Sequence, residues 1–220
     1  MPKNRIVLFD LDGTLIDSTE AIVESFYVAF DRHKLQKPPI AAITALIGNP
    51  LSVMFELLGV PPAQIAEVIA SYKAHYRVIC FDKTALIDTA SEAIAFIAAH
   101  ARLGVVTTKT SEYSRELLAH LGIADAFATI VGFDDVRRPK PDAEPLLLAL
   151  KNLKFTDETL FMVGDTPIDM QAALNASAAL GHTVTPVAVQ GGYAAKEALL
   201  PFTDRVFDTV LEACQNITTV

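Results

Sequence analysis

Short runs rich in Val, Ile, Leu and Phe recur along the chain with helical patterns between them, and this alternation constrains the fold more than any other feature. It indicates a parallel sheet whose strands are joined by crossover helices. The runs are almost continuously apolar, as expected for strands that are covered on both faces of a sheet. The predicted strands are residues 5–9, 103–107, 128–132, 159–163 and 184–189, and the clearest helical patterns are 89–101 and 111–121. The sequence therefore predicts an α/β fold with a Rossmann-like parallel sheet.

Residues 17–85 interrupt this alternation, because the interval contains no convincing strand. Ile22, Phe26 and Phe30 recur at helical spacing, which predicts a helix with one apolar face. Its predicted cap is Asp17 or Ser18. Proline and glycine residues divide the rest into further helical stretches, at about 50–58 and 62–79. The predicted domains are an α/β core of residues 1–16 and 86–220 and an inserted all-helical cap domain of residues 17–85.

The composition argues against several classes of protein. With only two cysteines in 220 residues, the chain has no disulfide framework, so a reducing cytoplasm is expected. Its net charge is −8 and no basic block stands out, which argues against a nucleic-acid partner. The apolar runs are shorter than the roughly 18 residues that span a bilayer, and no apolar signal segment precedes the first strand. We expect a cytoplasmic protein, a monomer or homodimer, with neither a nucleic-acid nor a membrane partner.

Polar side chains follow four of the predicted strands at their carboxyl ends, where open parallel sheets bind ligands. Two acids, Asp10 and Asp12, follow the first strand in "DLDGT". An Asp-Gly turn with two solvated acids would explain this motif alone, but it would not explain the groups that follow the later strands. Those groups are Thr107, Thr108 and Lys109 in "VVTTK", Lys140 in "RPKPD", and Asp165 and Asp169 in "GDTPIDM".

These residue types suit phosphoryl transfer. A carboxylate can attack phosphorus and form an aspartyl-phosphate, which divides one difficult displacement into two easier ones. Because a phosphate dianion repels a carboxylate, a cation must bridge them, and Mg²⁺ prefers oxygen ligands such as Asp10, Asp165 and a backbone oxygen of the Asp12 turn. A lysine ammonium and a threonine hydroxyl can hold the remaining phosphoryl oxygens. The sequence thus predicts magnesium-dependent chemistry on a small phosphorylated metabolite.

Taken together and in this order, the four motifs resemble those of the haloacid dehalogenase superfamily. Within it, "FDLDGTLIDS", "VTTK" and "KPDAEPLLLAL" are most similar to the phosphoglycolate-phosphatase-like branch. The resemblance covers almost the whole chain and implies that superfamily's smaller type of cap after the first motif. The sequence departs from the branch at Thr108, where Asn is usual, and at Ala143, where Pro is frequent. Residues 175–193 form a segment that is a few residues longer than in the branch. The second connection between cap and core, "FDKTALID", lacks the usual Pro-Gly turn.

The resemblance also implies a role for each motif residue. Asp10 resembles the nucleophile, and Asp12 resembles the general acid that protonates the leaving alkoxide and later activates water. Thr107 and the amide of Thr108 resemble the clamp that binds the substrate's phosphate, to which Lys140 contributes by steadying the nucleophile and the phosphoryl group. The implied metal ligands are Asp10, Asp12, Asp165 and Asp169, of which Asp169 either binds through water or orients Lys140. Lys109 is expected to be a surface residue.

Three alternatives to a phosphatase were considered. A dehalogenase would need neither the second acid of "DLD" nor magnesium. A sugar phosphomutase of the same superfamily shares all four motifs and differs in how its cap shields the phospho-aspartate from water. A non-enzymatic phosphate-sensing module can combine Asp, Thr, Lys and a metal, but it would leave the helical insert without a purpose. We therefore predict a phosphoric monoester hydrolase, with phosphoglycolate as the substrate that the resemblance suggests.

Overall fold

The computed structural model describes residues 4–219 as an α/β protein. The strands are β1 (Arg5–Phe9), β2 (Ile16–Asp17), β3 (Ala85–Leu86), β4 (Arg102–Val106), β5 (Phe127–Val131), β6 (Thr159–Gly164), β7 (Val184–Val189) and β8 (Val206–Phe207). The helices are α1 (Thr19–Arg32), α2 (Ile40–Thr44), α3 (Leu51–Leu57), α4 (Ile65–Ile79), α5 (Ala90–Ala98), α6 (Ser111–His120), α7 (Glu144–Asn152), α8 (Pro167–Leu180), α9 (Lys196–Leu199) and α10 (Val210–Thr218). Short 3₁₀ helices cover Pro62–Gln64, Ala124–Ala126 and Phe133–Asp135.

Six strands form one parallel sheet in the order β5-β4-β1-β6-β7-β8. The first strand of the chain lies inside the sheet, paired with β4 on one side and β6 on the other. The carboxyl ends of β1, β4, β5 and β6 therefore share one edge of the sheet. This confirms the predicted α/β fold, with β1 and β7 at the predicted bounds and the other predicted strands displaced by one residue at most at either end.

The sheet is covered on both faces, as its apolar strands predict. Val7 and Phe9 of β1 belong to an apolar cluster that includes residues of α5 and α10. Ile6 and Leu8, which point the other way along the same strand, pack with α7 and α8. Each large side chain that is fully buried in this way stabilises the fold by roughly 1.5–3 kcal/mol. The two layers of helices hold β1, and hence the acids that follow it, in a fixed position.

Helices α1–α4, together called the helical segment (residues 19–79), pack through an aromatic cluster. The ring centroid of Phe26 lies 4.5 Å from that of Phe55 and 5.0 Å from that of Tyr72. The interval predicted to lack strands carries one at each end, because Ile16 and Asp17 of β2 pair antiparallel with Leu86 and Ala85 of β3. These strands are only two residues long, too short to produce a recognisable sequence pattern.

The boundaries of the cap at residues 17 and 85 stay a prediction, and residues 1–3 and 220 of the predicted core lie outside the described residues. The cytoplasmic location and the monomeric or homodimeric state are also predictions. Between residues 4 and 219, no helix combines the length and the apolar character that crossing a membrane requires.

Candidate active site

A buried lysine and two buried acids from distant parts of the chain meet at the carboxyl edge of the sheet. The Lys140 ammonium lies 2.8 Å from Asp10 Oδ1 and 2.6 Å from Asp169 Oδ1. Asp10 follows β1, Lys140 precedes α7, and Asp169 is in the first turn of α8. All three residues are at most 3% exposed. The structure therefore brings together three of the residues that the sequence predicted for this site.

Asp165 lies beside this group, directly after β6. Its Oδ1 accepts a hydrogen bond of 2.9 Å from the Thr14 hydroxyl, and its Oδ2 accepts one of 2.8 Å from the Tyr193 backbone N–H. Glycines let the backbone come this close, because a Cβ on Gly13 or Gly192 would overlap the Asp165 carboxyl. Gly13 also has a φ of +84°, a conformation that glycine adopts without strain. The Asp-Gly turn of the first motif and the stretched segment before residue 194 thus both serve to position Asp165.

The Asp169 carboxylate is held on both of its oxygens. Oδ1 faces Lys140, while Oδ2 accepts hydrogen bonds from the Thr166 N–H at 3.1 Å and the Thr166 hydroxyl at 2.6 Å. Thr166 and Asp169 form a capping box at the start of α8, which satisfies backbone donors there. Of the two alternatives for Asp169, this arrangement favours the one in which it orients Lys140.

The buried charges of this cluster do not balance without a further cation. Burial first, and then the neighbouring Asp169, raise the pKa of Asp10 well above its ordinary value. The same two causes raise the pKa of Asp165 to about 7. Burial alone lowers the pKa of Lys140, but Asp10 and Asp169 more than reverse this effect, so the ammonium stays charged. Three ionised carboxylates would carry two more negative charges than the single ammonium balances, and the raised pKa values mean that without a further cation these acids favour binding protons instead.

This excess fits a divalent cation. Asp10, Asp165 and Asp169 each offer a carboxylate oxygen, and these oxygens lie within 4.8 Å of one another. Carboxylate oxygens are the ligands that Mg²⁺ prefers. Among residues 4–219, Asp169 receives three donors on its two oxygens, whereas Asp165 receives two and the Asp10 carboxylate contacts only the Lys140 ammonium. Asp10 and Asp165 therefore keep more lone pairs for a cation and are the better direct ligands of the three. The Asp12 carboxylate, also predicted to take part, does not belong to this cluster among residues 4–219.

Asp12 instead contacts a second lysine and a serine. Its Oδ1 accepts a short hydrogen bond from the Ser18 hydroxyl, and its Oδ2 lies 3.3 Å from the Lys109 ammonium. Lys109 also donates a hydrogen bond of 2.9 Å to the hydroxyl of Tyr76 in α4. Burial lowers the pKa of Lys109, but the nearby Asp12 reverses the effect, so its pKa is raised well above the ordinary value.

One sequence-based expectation for these residues was wrong, and a second was met by one of its two candidates. The Lys109 side chain is only 12% exposed, so Lys109 is not a surface residue: the helical segment folds back over it. Ser18 precedes α1 but its side chain makes no capping hydrogen bond, and its hydroxyl donates to Asp12. Asp17 does accept a hydrogen bond of 2.9 Å from the Thr19 N–H and so serves the helix start as predicted.

The two threonines of the predicted phosphate clamp lie at the end of β4. Thr107 is 4% exposed, and its hydroxyl accepts a hydrogen bond of 3.1 Å from the Lys109 N–H. Thr108 is half-buried and lines a cavity between this loop and the helical segment. The structure thus places both residues at the same sheet edge as Asp10, with Thr108 turned towards the helical segment.

Sequence reasoning missed several residues that hold this site together. Thr14 and Ser18 stand within the first motif, and their hydroxyl groups beside two acids could have predicted hydrogen bonds to carboxylates of the site. Thr166 had a stronger one, because Thr followed by Asp three positions later is a capping-box pattern. Tyr193 offered no signal, since it acts through its backbone N–H.

A parallel sheet with a buried lysine, clustered acids at its carboxyl edge and a helical segment after the first strand defines a phosphoryl-transfer type of site. Comparison with known proteins agrees with this class. Residues 7–180 match the sequence profile of the family described as haloacid dehalogenase-like hydrolase. The chain belongs to this family, which confirms the predicted resemblance.

Similar proteins indicate to which branch of the family the chain belongs. The chain is 35% identical over 171 residues to the pyrophosphatase PpaX of Bacillus velezensis, covering 77% of this chain and 78% of that protein. It is 31% identical over 193 residues to the phosphoglycolate phosphatase of Salmonella paratyphi A, covering 77% of each. A haloacid dehalogenase-like hydrolase from Streptococcus pneumoniae has the same fold, with a TM-score of 0.85, 24% identity, and coverage of 99% of this chain and 100% of that chain. The predicted phosphoglycolate-phosphatase-like branch and the predicted enzyme class, a hydrolase of phosphoric esters, are confirmed.

Proposed function

We propose that this protein is a magnesium-dependent phosphatase that hydrolyses a small phosphorylated metabolite through a phosphorylated Asp10. The observation that carries the proposal is the buried cluster of Asp10, Lys140, Asp165 and Asp169, whose excess negative charge suits a divalent cation. The names of the pyrophosphatase and phosphatase relatives support phosphate chemistry at this site.

Asp10 is poised to act as the nucleophile. Lys140 holds Oδ1, so we assign the attack on phosphorus to Oδ2. The same ammonium can donate hydrogen bonds to the phosphoryl oxygens as negative charge develops on them. Asp10 and Asp165 would hold Mg²⁺, whose charge would offset the repulsion between the carboxylate and the phosphate dianion. The P–O bond to the leaving alcohol breaks as the bond to Asp10 Oδ2 forms.

We assign proton transfer to Asp12. In the first step it gives a proton to the leaving alkoxide, and in the second it takes one from the water that attacks phospho-Asp10. Ser18 and Lys109 fix the two carboxylate oxygens, so the side chain is held in one orientation. The Thr107 hydroxyl and the Thr108 N–H complete the set by holding phosphoryl oxygens.

Removal of divalent cations tests the central claim. We expect a chelator to abolish the release of inorganic phosphate from p-nitrophenyl phosphate and Mg²⁺ to restore it. Ca²⁺ should not restore it, because it adopts more ligands and a looser geometry than in-line attack allows. Full activity in the presence of chelator would contradict the metal assignment. Measuring free phosphate also separates hydrolysis from the transfer to a sugar phosphate that a phosphomutase performs.

Replacement of Asp12 tests proton transfer. We expect Asp12→Asn to slow hydrolysis of an alkyl phosphate by about a hundredfold or more, because an alkoxide needs a proton to leave. The loss should be smaller for p-nitrophenyl phosphate, whose leaving group is stable as an anion. The matched control is Asp125→Asn, at an exposed aspartate. Equal losses for both esters would show that Asp12 does not protonate the leaving group.

A further inference from the structure

A cavity of about 330 Å³ lies between the helical segment and the loops that follow β4 and β5. Asp12 and Thr108 lie on its wall, whereas Asp10, Lys140 and Asp165 do not. A phosphoryl group transferred to Asp10 occupies the buried cluster, so the rest of the ester must extend past Asp12. The cavity is therefore the space that the leaving alcohol enters.

The wall of this cavity is mostly apolar. The helical segment supplies Ile22, Ile47, Met54, Ile69, Tyr72 and Tyr76. Most of these side chains are buried, and they pack with one another while also facing the cavity. Apolar walls with a few polar groups at one end are typical of sites for organic ligands.

The charged groups of the cavity leave one ammonium, that of Lys73, without an ion-pair partner among the described residues. Besides Asp12, only Lys73 and Lys109 carry charge among the described residues of its wall. Lys109 is already paired with Asp12 and bonded to Tyr76. Lys73 is half-exposed, so its charge is solvated and attracts an anion weakly. A carboxylate or a second phosphate would lose its hydration against apolar walls without a dedicated partner.

The size of the cavity sets the scale of the occupant. An apolar cavity of about 150 Å³ holds a benzene molecule. This cavity is larger, so it accepts a leaving group that contains at least one ring and a short linker. Building on the phosphatase function proposed above, we propose that the substrate is a phosphate monoester whose leaving alcohol is uncharged and largely apolar. This substrate class differs from both phosphoglycolate and pyrophosphate, whose leaving groups are anionic.

A panel of phosphate compounds with different leaving groups tests this substrate class. The panel consists of 2-phenylethyl phosphate, glycerol phosphate, phosphoglycolate and pyrophosphate, with p-nitrophenyl phosphate as a general phosphatase probe. The first two are alkyl esters, so a difference between them reports binding of the leaving group and not its stability as an anion. We expect kcat/KM for 2-phenylethyl phosphate to exceed that for glycerol phosphate and phosphoglycolate at least about tenfold, from burial of the ring.

A pair of variants on α4 links any preference to the cavity. Ile69 lines the cavity and Ile65, one turn earlier on the same helix, does not, although both are half-buried. We expect Ile69→Asn to lower the ratio of kcat/KM for 2-phenylethyl phosphate over glycerol phosphate at least about fivefold, because an amide replaces apolar wall. Ile65→Asn should leave this ratio unchanged.

The outcomes separate this inference from the proposed function. A preference for phosphoglycolate or pyrophosphate, or an unaltered ratio in Ile69→Asn, would overturn the apolar substrate class while leaving the phosphatase intact. Hydrolysis of none of the compounds in the panel, p-nitrophenyl phosphate included, would overturn the phosphatase proposal and the inference with it.

Discussion

Asp10→Asn is expected to lower kcat on the order of 10⁴-fold or more, because an amide cannot attack phosphorus to form the phosphorylated intermediate. The substitution keeps the shape of the side chain, and Lys140 keeps its second partner, Asp169. Single-turnover assays with Mg²⁺ should show neither release of the alcohol nor phosphate bound covalently to the protein. Intact wild-type protein trapped with phosphate on residue 10 would be the corresponding positive result.

The stability of the Asp10→Asn variant separates a lost nucleophile from a lost fold. Crowding with Asp169 and Asp165 raises the pKa of the buried Asp10 in the fold, in addition to the effect of burial. Removing this charge relieves repulsion, so we expect the metal-free variant to unfold at a temperature no lower than the wild type. Asp204→Asn, at an exposed aspartate, is the matched control and should retain full turnover. Residual turnover of the Asp10 variant near the wild-type rate would exclude Asp10 as the nucleophile.

Lys140→Met is expected to have the second-largest effect, on activity and stability together. It removes the only ammonium in contact with Asp10 and Asp169 among residues 4–219, so we expect kcat to fall on the order of a thousandfold. Breaking a buried ion pair from one side typically costs about 3–5 kcal/mol of stability. Lys151→Met, at an exposed lysine of α7, should change neither quantity.

The pH dependence of stability checks the cause of this loss. In the fold, the pKa of Asp165 is raised from 3.8 to about 7, so the folded state binds protons more tightly than the unfolded state. Stability is therefore greatest below about pH 4 for this group and is lost as the pH rises towards 7. Without the Lys140 charge, which lowers the pKa of Asp165, this decline should extend to higher pH and become larger. Adding Asp169→Asn to Lys140→Met should recover part of the stability, since it removes one of the unpaired carboxylates; no recovery would mean that lost packing, not charge, causes the loss.

Much of the candidate site could be predicted because it depends on strand ends. Asp10 and Asp165 are far apart in sequence, but each directly follows an apolar strand, and parallel pairing of β1 with β6 brings both ends to one edge. Lys140 and Asp169 lie in loops or helix starts at the same edge, so motif order was enough to place them together.

The environment of Asp12 could not be predicted in the same way. Ser18 stands where the oxygen of a serine normally accepts a hydrogen bond from the first turn of a helix, but in the structure it makes no such bond and its hydroxyl donates to the Asp12 carboxylate. Lys109 follows a strand as a surface lysine would, and it is buried only because Tyr76 from a distant helix covers it. Both outcomes depend on competition between local and long-range partners, which residue spacing does not express.

The sequence by itself determined the α/β fold, the family and the residues of the buried acid and lysine cluster. Strand patterns and the order of the motifs can both be recognised along the chain without knowledge of tertiary contacts. Only the tertiary structure decided which contacts each residue makes: Asp169 with Lys140, Asp165 with the Tyr193 N–H, and Asp12 with Lys109. It also decided that side chains of the helical segment wall a cavity beside Asp12. The physical reason is that an apolar helical face can be buried in a core or can line a ligand cavity. The two cases have the same sequence pattern, and only the three-dimensional packing distinguishes them.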